Sequence, residues 1–169
     1  CIRDRSNIVH PLDSLSVEEI EKSVTLFKRD KNSDENSVYS YIVLDEPDKE
    51  FVINFKQGDS FSRKAKIIGI DSNSKGFEAL IDLSNEEVVS IISLSENAGP
   101  TYTMVEIMTA IQLTLENEEY QEALRKRGIT DLSLSQIDPW PGGGIVNQNI
   151  QKGHRALKTI SFLKESPND

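Results

Sequence analysis

The 169-residue chain has one cysteine, two histidines and few aromatic residues, which make up 7% of it. Because Cys1 is the single cysteine, the chain can form neither an internal disulfide nor a Cys-x-x-Cys redox or metal pair. Its apolar runs fall short of the roughly 20 residues needed to cross a membrane. We therefore expect a soluble chain without a membrane partner. No targeting segment is visible in the sequence as given, so a compartment is not predicted.

The net formal charge of −9 at pH 7 argues against a nucleic-acid partner, because that recognition depends mainly on basic side chains that neutralise phosphates. Two basic clusters interrupt this acidic background. Arg63-Lys64 with Lys66 is predicted to form the solvated side of a strand. Arg125-Lys126-Arg127 is predicted to place cations at a helix C-terminus, where they are favourable. Both clusters therefore have structural explanations.

The stretch that begins at His10 predicts a loop that turns into a helix. Pro11 restricts His10 to extended geometry. Asp13 is expected to accept backbone N–H bonds near the start of the helix. Ser16 and Glu19 have the spacing of a capping box, in which each side chain satisfies a backbone N–H left free at the helix start. Apolar residues then recur at helical spacing: Val17, Ile20, Val24 and Phe27.

The residues after this helix predict an antiparallel sheet of short strands. Five β-rich runs are separated by turn residues: 38–44, 51–55, 64–70, 77–83 and 88–94. Alternation of apolar and other side chains is clear in the second and fourth runs. One amphipathic helix together with short antiparallel connections predicts an α+β layer pair.

A second unit is predicted to follow a linker at residues 95–102. Thr103 and Glu106 form a second capping box at the start of a helix with apolar residues on one side. A further helical segment is predicted to end at Arg127. Gly128 is well suited to the left-handed conformation that closes a helix. The second unit therefore also begins with a helix.

The rest of this unit predicts an incomplete sheet. Residues 132–138 and 155–163 are the predicted strands, and residues 139–144 are predicted to be a loop. A two-stranded sheet is marginal on its own, and its open edge favours pairing with another chain. We expect edge-to-edge association, either with another copy or with a separate partner. Four apolar residues are expected to cover part of the helix: Leu132, Leu134, Ile160 and Phe162.

His10-Pro11-Leu12-Asp13 followed by a helix resembles the start of the second N-terminal domain of copper-dependent primary-amine oxidases, including those of the tyramine oxidase type. Ser14 stands where that family usually has proline. More than a hundred residues downstream, Arg127-Gly128-Ile129 and Asp138-Pro139-Trp140 resemble the third N-terminal domain of the same family. There a helix ends at Arg-Gly-Ile, and a strand leads to Asp-Pro-Trp. Two motifs in the expected order indicate this family more specifically than either motif alone.

The resemblance implies two tandem cystatin-like α+β units, each an amphipathic helix packed on an antiparallel sheet, with the second unit truncated. We place the domains at residues 1–96 and 97–169. In this family, copper lies on three histidines in a separate catalytic domain, where a tyrosine preceded by asparagine becomes topaquinone. This chain has only His10 and His154, and none of its tyrosines follows an asparagine. The sequence therefore predicts no catalytic, cofactor-binding or metal-binding residue here, and an inactive chain when it is alone.

Two classes of function remain open. The first is a non-catalytic N-terminal region or small subunit of a copper/topaquinone primary-amine oxidase, docking on a catalytic domain carried elsewhere and shaping access to it. The second is a free-standing cystatin-like binding module with no oxidase association. A hydrolase has little support, since the chain lacks a Gly-x-Ser-x-Gly motif. The motif residues are predicted to be structural: His10, Pro11, Leu12, Asp13, Ser16, Glu19, Arg127, Gly128, Ile129, Asp138, Pro139 and Trp140.

Overall fold

The chain forms two compact α+β units, Cys1–Thr101 and Tyr102–Asp169. The structure, a computed structural model, describes three ranges of residues: 8–95, 98–143 and 155–166. The α+β class predicted from the sequence is confirmed, whereas its cystatin-like character stays a prediction. The predicted domain boundary between residues 96 and 97 lies outside the described residues, as do Cys1, Gly144 and His154.

The first unit packs one long helix on a four-stranded antiparallel sheet. The strands lie in sequence order, and each is antiparallel to the next. The elements are α1 (Val17–Arg29), β1 (Val38–Leu44), α2 (Lys49–Asn54), β2 (Lys64–Ile70), β3 (Gly76–Asp82) and β4 (Glu87–Ser93). This meander over a helix is the layer pair that the hydrophobic pattern predicted.

The core of this unit lies between α1 and one face of the sheet. Phe27, on α1, is almost completely buried and stacks on Phe77 of β3 with ring centroids 5.1 Å apart. The ring of Tyr39, on β1, packs edge-on against Phe27, with ring centroids 5.8 Å apart. Alternate residues of the two central strands complete the core, as expected when one sheet face is covered: Ala65, Ile67, Ala79 and Ile81, with Leu83 just after β3.

The predicted strand at residues 51–55 is wrong, because this segment forms the short helix α2. Phe51 and Phe55 are four residues apart, so helical geometry brings their rings to the same side. Their centroids lie 6.3 Å apart, and Phe55 also contacts the rings of Phe61 at 5.6 Å and His10 at 5.1 Å. Packing among these rings thus favours the helix over the strand that simple alternation predicted.

The second unit packs two helices on a two-stranded antiparallel sheet. Its elements are α3 (Met104–Glu116), α4 (Glu118–Arg125), a 3-10 helix (Leu132–Leu134), β5 (Ser135–Pro141) and β6 (Leu157–Leu163). Helix α3 contacts both strands and α4. Across the described parts of both units, every helix is too short or too polar to traverse a lipid bilayer.

The start of the second-unit sheet differs from the prediction. Leu132 and Leu134 lie in the 3-10 helix rather than in a strand. Pro139, Trp140 and Pro141 were predicted to lie in a loop, but they form the end of β5 and pair with β6. The strand is therefore shifted toward the C-terminus.

The positions of the prolines explain why β5 tolerates them. The amide of Gly142 donates to Ala156 O and that of Lys164 donates to Leu134 O, both at 2.8 Å. Even-numbered residues of β5 therefore direct their backbone groups toward β6, and odd-numbered residues direct theirs outward. Pro139 and Pro141 are odd-numbered, so neither is required to donate an N–H to the ladder.

The predicted cover of α3 by Ile160 and Phe162 is also wrong. Ile137 is buried and pairs with Ser161, so these residues share the helix-facing side of the sheet. Ile160 and Phe162 lie at alternate positions and therefore point to the other face. That face is open to solvent, where Phe162 and Trp140 are each about half exposed.

Candidate functional site

The His10–Glu19 motif is organised around a residue outside it, Arg63. The guanidinium is buried, with only 7% of the residue exposed. It donates to both carboxylate oxygens of Glu19, from Nε to Oε1 at 2.9 Å and from Nη2 to Oε2 at 3.0 Å. Such a two-pronged pair is among the stronger hydrogen-bonded ion pairs in proteins. The prediction that Arg63 lies on the solvated side of a strand is therefore wrong.

The other donors of Arg63 hold the loop that precedes α1. Nη1 donates to the carbonyl oxygens of Pro11 at 3.1 Å and Asp13 at 2.8 Å, and Nη2 donates to that of Ser14 at 3.2 Å. A guanidinium has five N–H donors, so the contacts to Glu19 and to these three carbonyls use all of them. Arg63 thus fixes both the loop and the first turn of α1.

The loop is also closed by its own side chains. Oδ2 of Asp13 accepts from the backbone amides of Val9 and His10, each at 2.9 Å. The amide of Leu12 donates to Nδ1 of His10 at 3.1 Å, and the ring packs edge-on against Phe55. The positions of His10 and Asp13 are consistent with structural roles.

Glu19 has two partners at once. Oε2 accepts from the amide of Ser16 at 2.9 Å, and the amide of Glu19 donates to Ser16 Oγ at 3.2 Å, which completes the predicted capping box. Burial alone would raise the pKa of the Glu19 carboxyl group. The hydrogen bonds from Arg63 and Ser16, together with the charges of Arg63 and Lys22, outweigh that effect, and the pKa of Glu19 lies below its ordinary value.

Apolar side chains project from the loop into solvent. Leu12 is 42% exposed and Val9 57%, although neighbouring backbone atoms are held by Arg63 and Asp13. Phe51 of α2 is also partly exposed and lines a shallow depression of about 290 Å³ with Phe55. We call Val9, Leu12, Phe51 and Phe55 the loop surface. Its rigid backbone and exposed apolar side chains are typical of a contact surface.

The second motif lies in the second unit and forms two separate features. Gly128 has a φ of 80°, the left-handed conformation predicted for it, and the amide of Ile129 donates to Leu124 O at 3.0 Å, which closes α4. Arg127 Nη1 donates to the carbonyl of Ala123 at 2.9 Å. These contacts terminate the helix.

Asp138, Pro139 and Trp140 lie on β5 instead of at the helix end. The indole Nε1 of Trp140 donates to Oδ2 of Asp138 at 2.7 Å, across one intervening residue of the strand. The ring remains exposed on the open face of the sheet. The structure therefore separates the two parts of the second motif, whereas it gathers the residues of the first motif around Arg63.

The second unit also contains a capping-box glutamate that is bound by an arginine. Thr103 and Glu106 form the predicted capping box at the start of α3. Arg155 donates to Oε1 of Glu106 from Nε at 3.1 Å and from Nη2 at 3.0 Å. Its guanidinium also lies 4.3 Å from the centroid of the Tyr102 ring. Sequence analysis missed the roles of both arginines, because each lies more than 40 residues from the glutamate that it binds.

Metal ligation is not suggested by the described residues. Within them, no group of three or more His, Cys, Asp or Glu side chains is placed to hold a metal ion. The capping-box carboxylate of each unit is engaged by an arginine: Glu19 by Arg63 and Glu106 by Arg155.

Replacement of Asp13 with alanine is expected to lower the free energy of unfolding by roughly 0.5–2 kcal/mol, because two backbone amides lose their acceptor. Chemical denaturation followed by circular dichroism measures the change. Asp59→Ala is a matched control, since Asp59 accepts from one exposed amide, that of Lys56. Unchanged stability combined with loss of a measured partner affinity would contradict the structural role of Asp13.

Replacement of Arg63 with methionine is expected to cost about 3–5 kcal/mol of stability, because Glu19 and three carbonyls lose a buried partner. Arg63→Lys should recover only part of this loss, since an ammonium cannot reproduce the fork of donors. Lys126→Met removes an exposed ion pair and should cost less than about 1 kcal/mol. Equal effects of the Arg63 and Lys126 replacements would show that Arg63 does not hold the loop.

Stability is expected to decline as the pH falls through the lowered pKa of Glu19. The ionised carboxylate stabilises the folded chain above the ordinary carboxyl pKa, and protonation removes that contribution. The free energy of unfolding, obtained from denaturation curves recorded between neutral and acidic pH, should therefore fall less with decreasing pH for Glu19→Gln than for the original chain. Glu122→Gln, which changes an exposed carboxylate on α4, is the control. An unchanged pH dependence in Glu19→Gln would contradict this assignment.

Comparison with known proteins places these features in a family. Residues 10–93 match the family model described as copper amine oxidase, N2 domain. The chain is 29% identical over 163 residues to a primary amine oxidase of Arthrobacter sp. (strain P1), covering 96% of this chain and 24% of that protein. It is 31% identical over 159 residues to a primary amine oxidase of Klebsiella aerogenes, covering 91% and 21% respectively.

A solved structure supports the same fold. The copper-containing benzylamine oxidase from Hansenula polymorpha matches with a TM-score of 0.73 and 16% identity, covering 92% of this chain and 25% of that chain. The chain thus spans about a quarter of the length of the relatives it matches. The resemblance found in the sequence is confirmed: the chain belongs to the copper amine oxidase family, and residues 10–93 are its N2 domain.

Proposed function

We propose that this chain is a non-catalytic N-terminal region or small subunit of a copper/topaquinone primary-amine oxidase. In this proposal it docks on a catalytic domain carried elsewhere and shapes access to it. The observation that carries the proposal is the extent of the similarity. More than nine-tenths of this chain aligns with about a quarter of each relative, which leaves most of the relative's length for other parts of the enzyme.

The residues of this chain do not fit a copper site of the kind the family resemblance implies. Such a site uses three histidines, and the chain has two. His10 uses Nδ1 to accept from Leu12 and packs its ring on Phe55. We therefore assign copper and topaquinone to the catalytic domain and derive no chemical step from this chain.

The loop surface supports a docking role. Arg63 and Asp13 hold the backbone beneath Val9 and Leu12, so ordering of the loop is complete before any partner arrives. A preordered surface loses less conformational entropy on binding than a mobile one. Its exposed apolar side chains are the ones that a partner would remove from water. We propose that this surface contacts the catalytic domain.

The purified chain is expected to bind less than one equivalent of copper and to release no hydrogen peroxide from primary amines. The physical reason is the shortage of histidine ligands. Metal analysis after copper loading and dialysis, with a peroxide assay on methylamine, tyramine and benzylamine, checks both statements. Saturable copper at one equivalent together with turnover would overturn the proposed non-catalytic role.

A chimaera tests docking and access directly. The segment of the Arthrobacter primary amine oxidase that aligns with this chain is replaced by this chain, and KM and kcat are measured for amines of increasing size. Exchange is expected to change the KM values in a size-dependent way, with a smaller effect on kcat. A chimaera that carries Leu12→Ala and Phe51→Ala should be less stable than the chimaera without these replacements. Lys126→Ala is the surface control and should leave that stability unchanged. Kinetics and assembly stability that do not respond to the segment would contradict the proposal.

A further inference from the structure

A shallow depression in the first unit brings aromatic rings and carboxylates together. It has a volume of about 290 Å³, and five residues line it: Glu50, Phe51, Asn54, Phe55 and Asp59. The first four have the spacing i, i+1, i+4 and i+5, so the geometry of α2 places them on one side of the helix. We call this site the α2 depression.

The turn that follows α2 adds Asp59 to this set. The amide of Asp59 donates to Lys56 O at 3.0 Å, and the amide of Lys56 donates to Oδ2 of Asp59 at 2.9 Å. Gly58 has a positive φ of 101°, which glycine adopts readily. The turn therefore returns the chain toward the end of α2 and holds the Asp59 carboxylate at the depression.

The polar groups of the α2 depression are rich in acceptors and in negative charge. Ionised carboxylates accept hydrogen bonds and donate none. Nδ2 of Asn54 donates to the backbone oxygen of Glu50 at 2.8 Å, which commits one of its donors to the main chain. Within the described residues neither Glu50 nor Asp59 forms an ion pair, and no basic side chain lines the site. This lining favours a ligand with positive charge and hydrogen-bond donors.

The two phenylalanine rings favour an organic cation over a metal ion. Their centroids lie 6.3 Å apart, and their planes are inclined at 49°. A cation is attracted to an aromatic face within about 6 Å of the ring centroid, so one ion can interact with both rings. Phe55 is held by edge-on contacts with His10 and Phe61, and Phe51 is 40% exposed. The apolar wall is thus fixed in place and accessible to a ligand.

We propose that the α2 depression binds a small organic ammonium ion, such as a protonated primary amine. The ammonium group has three N–H donors and no acceptor, and it lies between the carboxylates of Glu50 and Asp59. The hydrocarbon part of the ligand packs on the rings of Phe51 and Phe55. The volume is near the lower end of the usual range for ligand sites, about 300–1,000 Å³, so it fits a single ring or a short chain. The net charge of −9 adds a long-range attraction for cations.

This inference goes beyond the proposed docking role. Two residues of the loop surface, Phe51 and Phe55, line the α2 depression, whereas Val9 and Leu12 do not. The test of ammonium binding uses the purified chain alone, and docking is tested in the chimaera. Failure of one proposal is therefore distinguishable from failure of the other.

Titration of the isotope-labelled chain with benzylammonium chloride, followed through amide chemical shifts, measures the binding. Shifts within residues 50–59 should saturate with a dissociation constant in the millimolar range, as expected for a shallow site. Benzyl alcohol, which is similar in shape and uncharged, should bind at least about fivefold more weakly. Added salt should weaken benzylammonium binding, because it screens exposed charges.

Replacement of both carboxylates, in the variant Glu50→Gln with Asp59→Asn, should raise the dissociation constant for benzylammonium by about fivefold. Glu21→Gln with Glu35→Gln is the matched control, because it removes the same net charge from exposed positions outside the depression. It should leave the dissociation constant within about twofold of its original value. Circular dichroism of each variant confirms that it is folded before binding is measured.

Phe51→Leu keeps an apolar side chain but removes the aromatic face. It should weaken the binding of benzylammonium more than that of benzyl alcohol, since only the cation gains from electrostatic attraction to the ring. Four results would each refute the proposal: shifts that do not saturate or lie outside residues 50–59, equal affinities for the two ligands, a Glu50/Asp59 variant that behaves like its control, or equal losses for the two ligands in Phe51→Leu.

Discussion

The bidentate pairing of Arg63 with Glu19 is the contact on which the first motif depends. It joins the residue before β2 to the first turn of α1. The same guanidinium also binds carbonyl oxygens of the loop that precedes α1. A buried arginine is costly unless its donors are satisfied. Because all five are used here, the interaction specifies one arrangement of loop, helix and sheet, and alternatives leave a charge unpaired.

The second unit reaches a similar solution with different residues. Glu106 caps α3 and is bound by Arg155, which precedes β6. In both units the carboxylate that starts the helix also receives the arginine, so helix capping and tertiary packing are coupled through one side chain. Burial opposes ionisation of Glu106 as it does for Glu19, and hydrogen bonds again lower the pKa below its ordinary value. The geometry is looser in the second unit, where one oxygen receives most of the contacts.

Local signals in the sequence were sufficient for both capping boxes, for α1 and for the left-handed Gly128, since each depends on residues within a few positions. The failures have non-local causes. The segment 51–55 alternates like a strand, but ring contacts with Phe61 and His10 favour a helix. Pro139 and Pro141 suggested a loop because the sequence does not reveal which edge of the strand they face. Arg63 lies 44 residues from Glu19, and composition alone could not pair them.

The way in which Arg63 binds the loop has a consequence for how the motif tolerates substitution. Its contacts with Pro11, Asp13 and Ser14 are made to main-chain oxygens, which every amino acid supplies. The identity of the side chain at the third of these positions is therefore not recognised, provided that the backbone keeps its path. The arginine therefore selects the path of the main chain, and at position 14 it binds the carbonyl oxygen of the serine rather than its side chain.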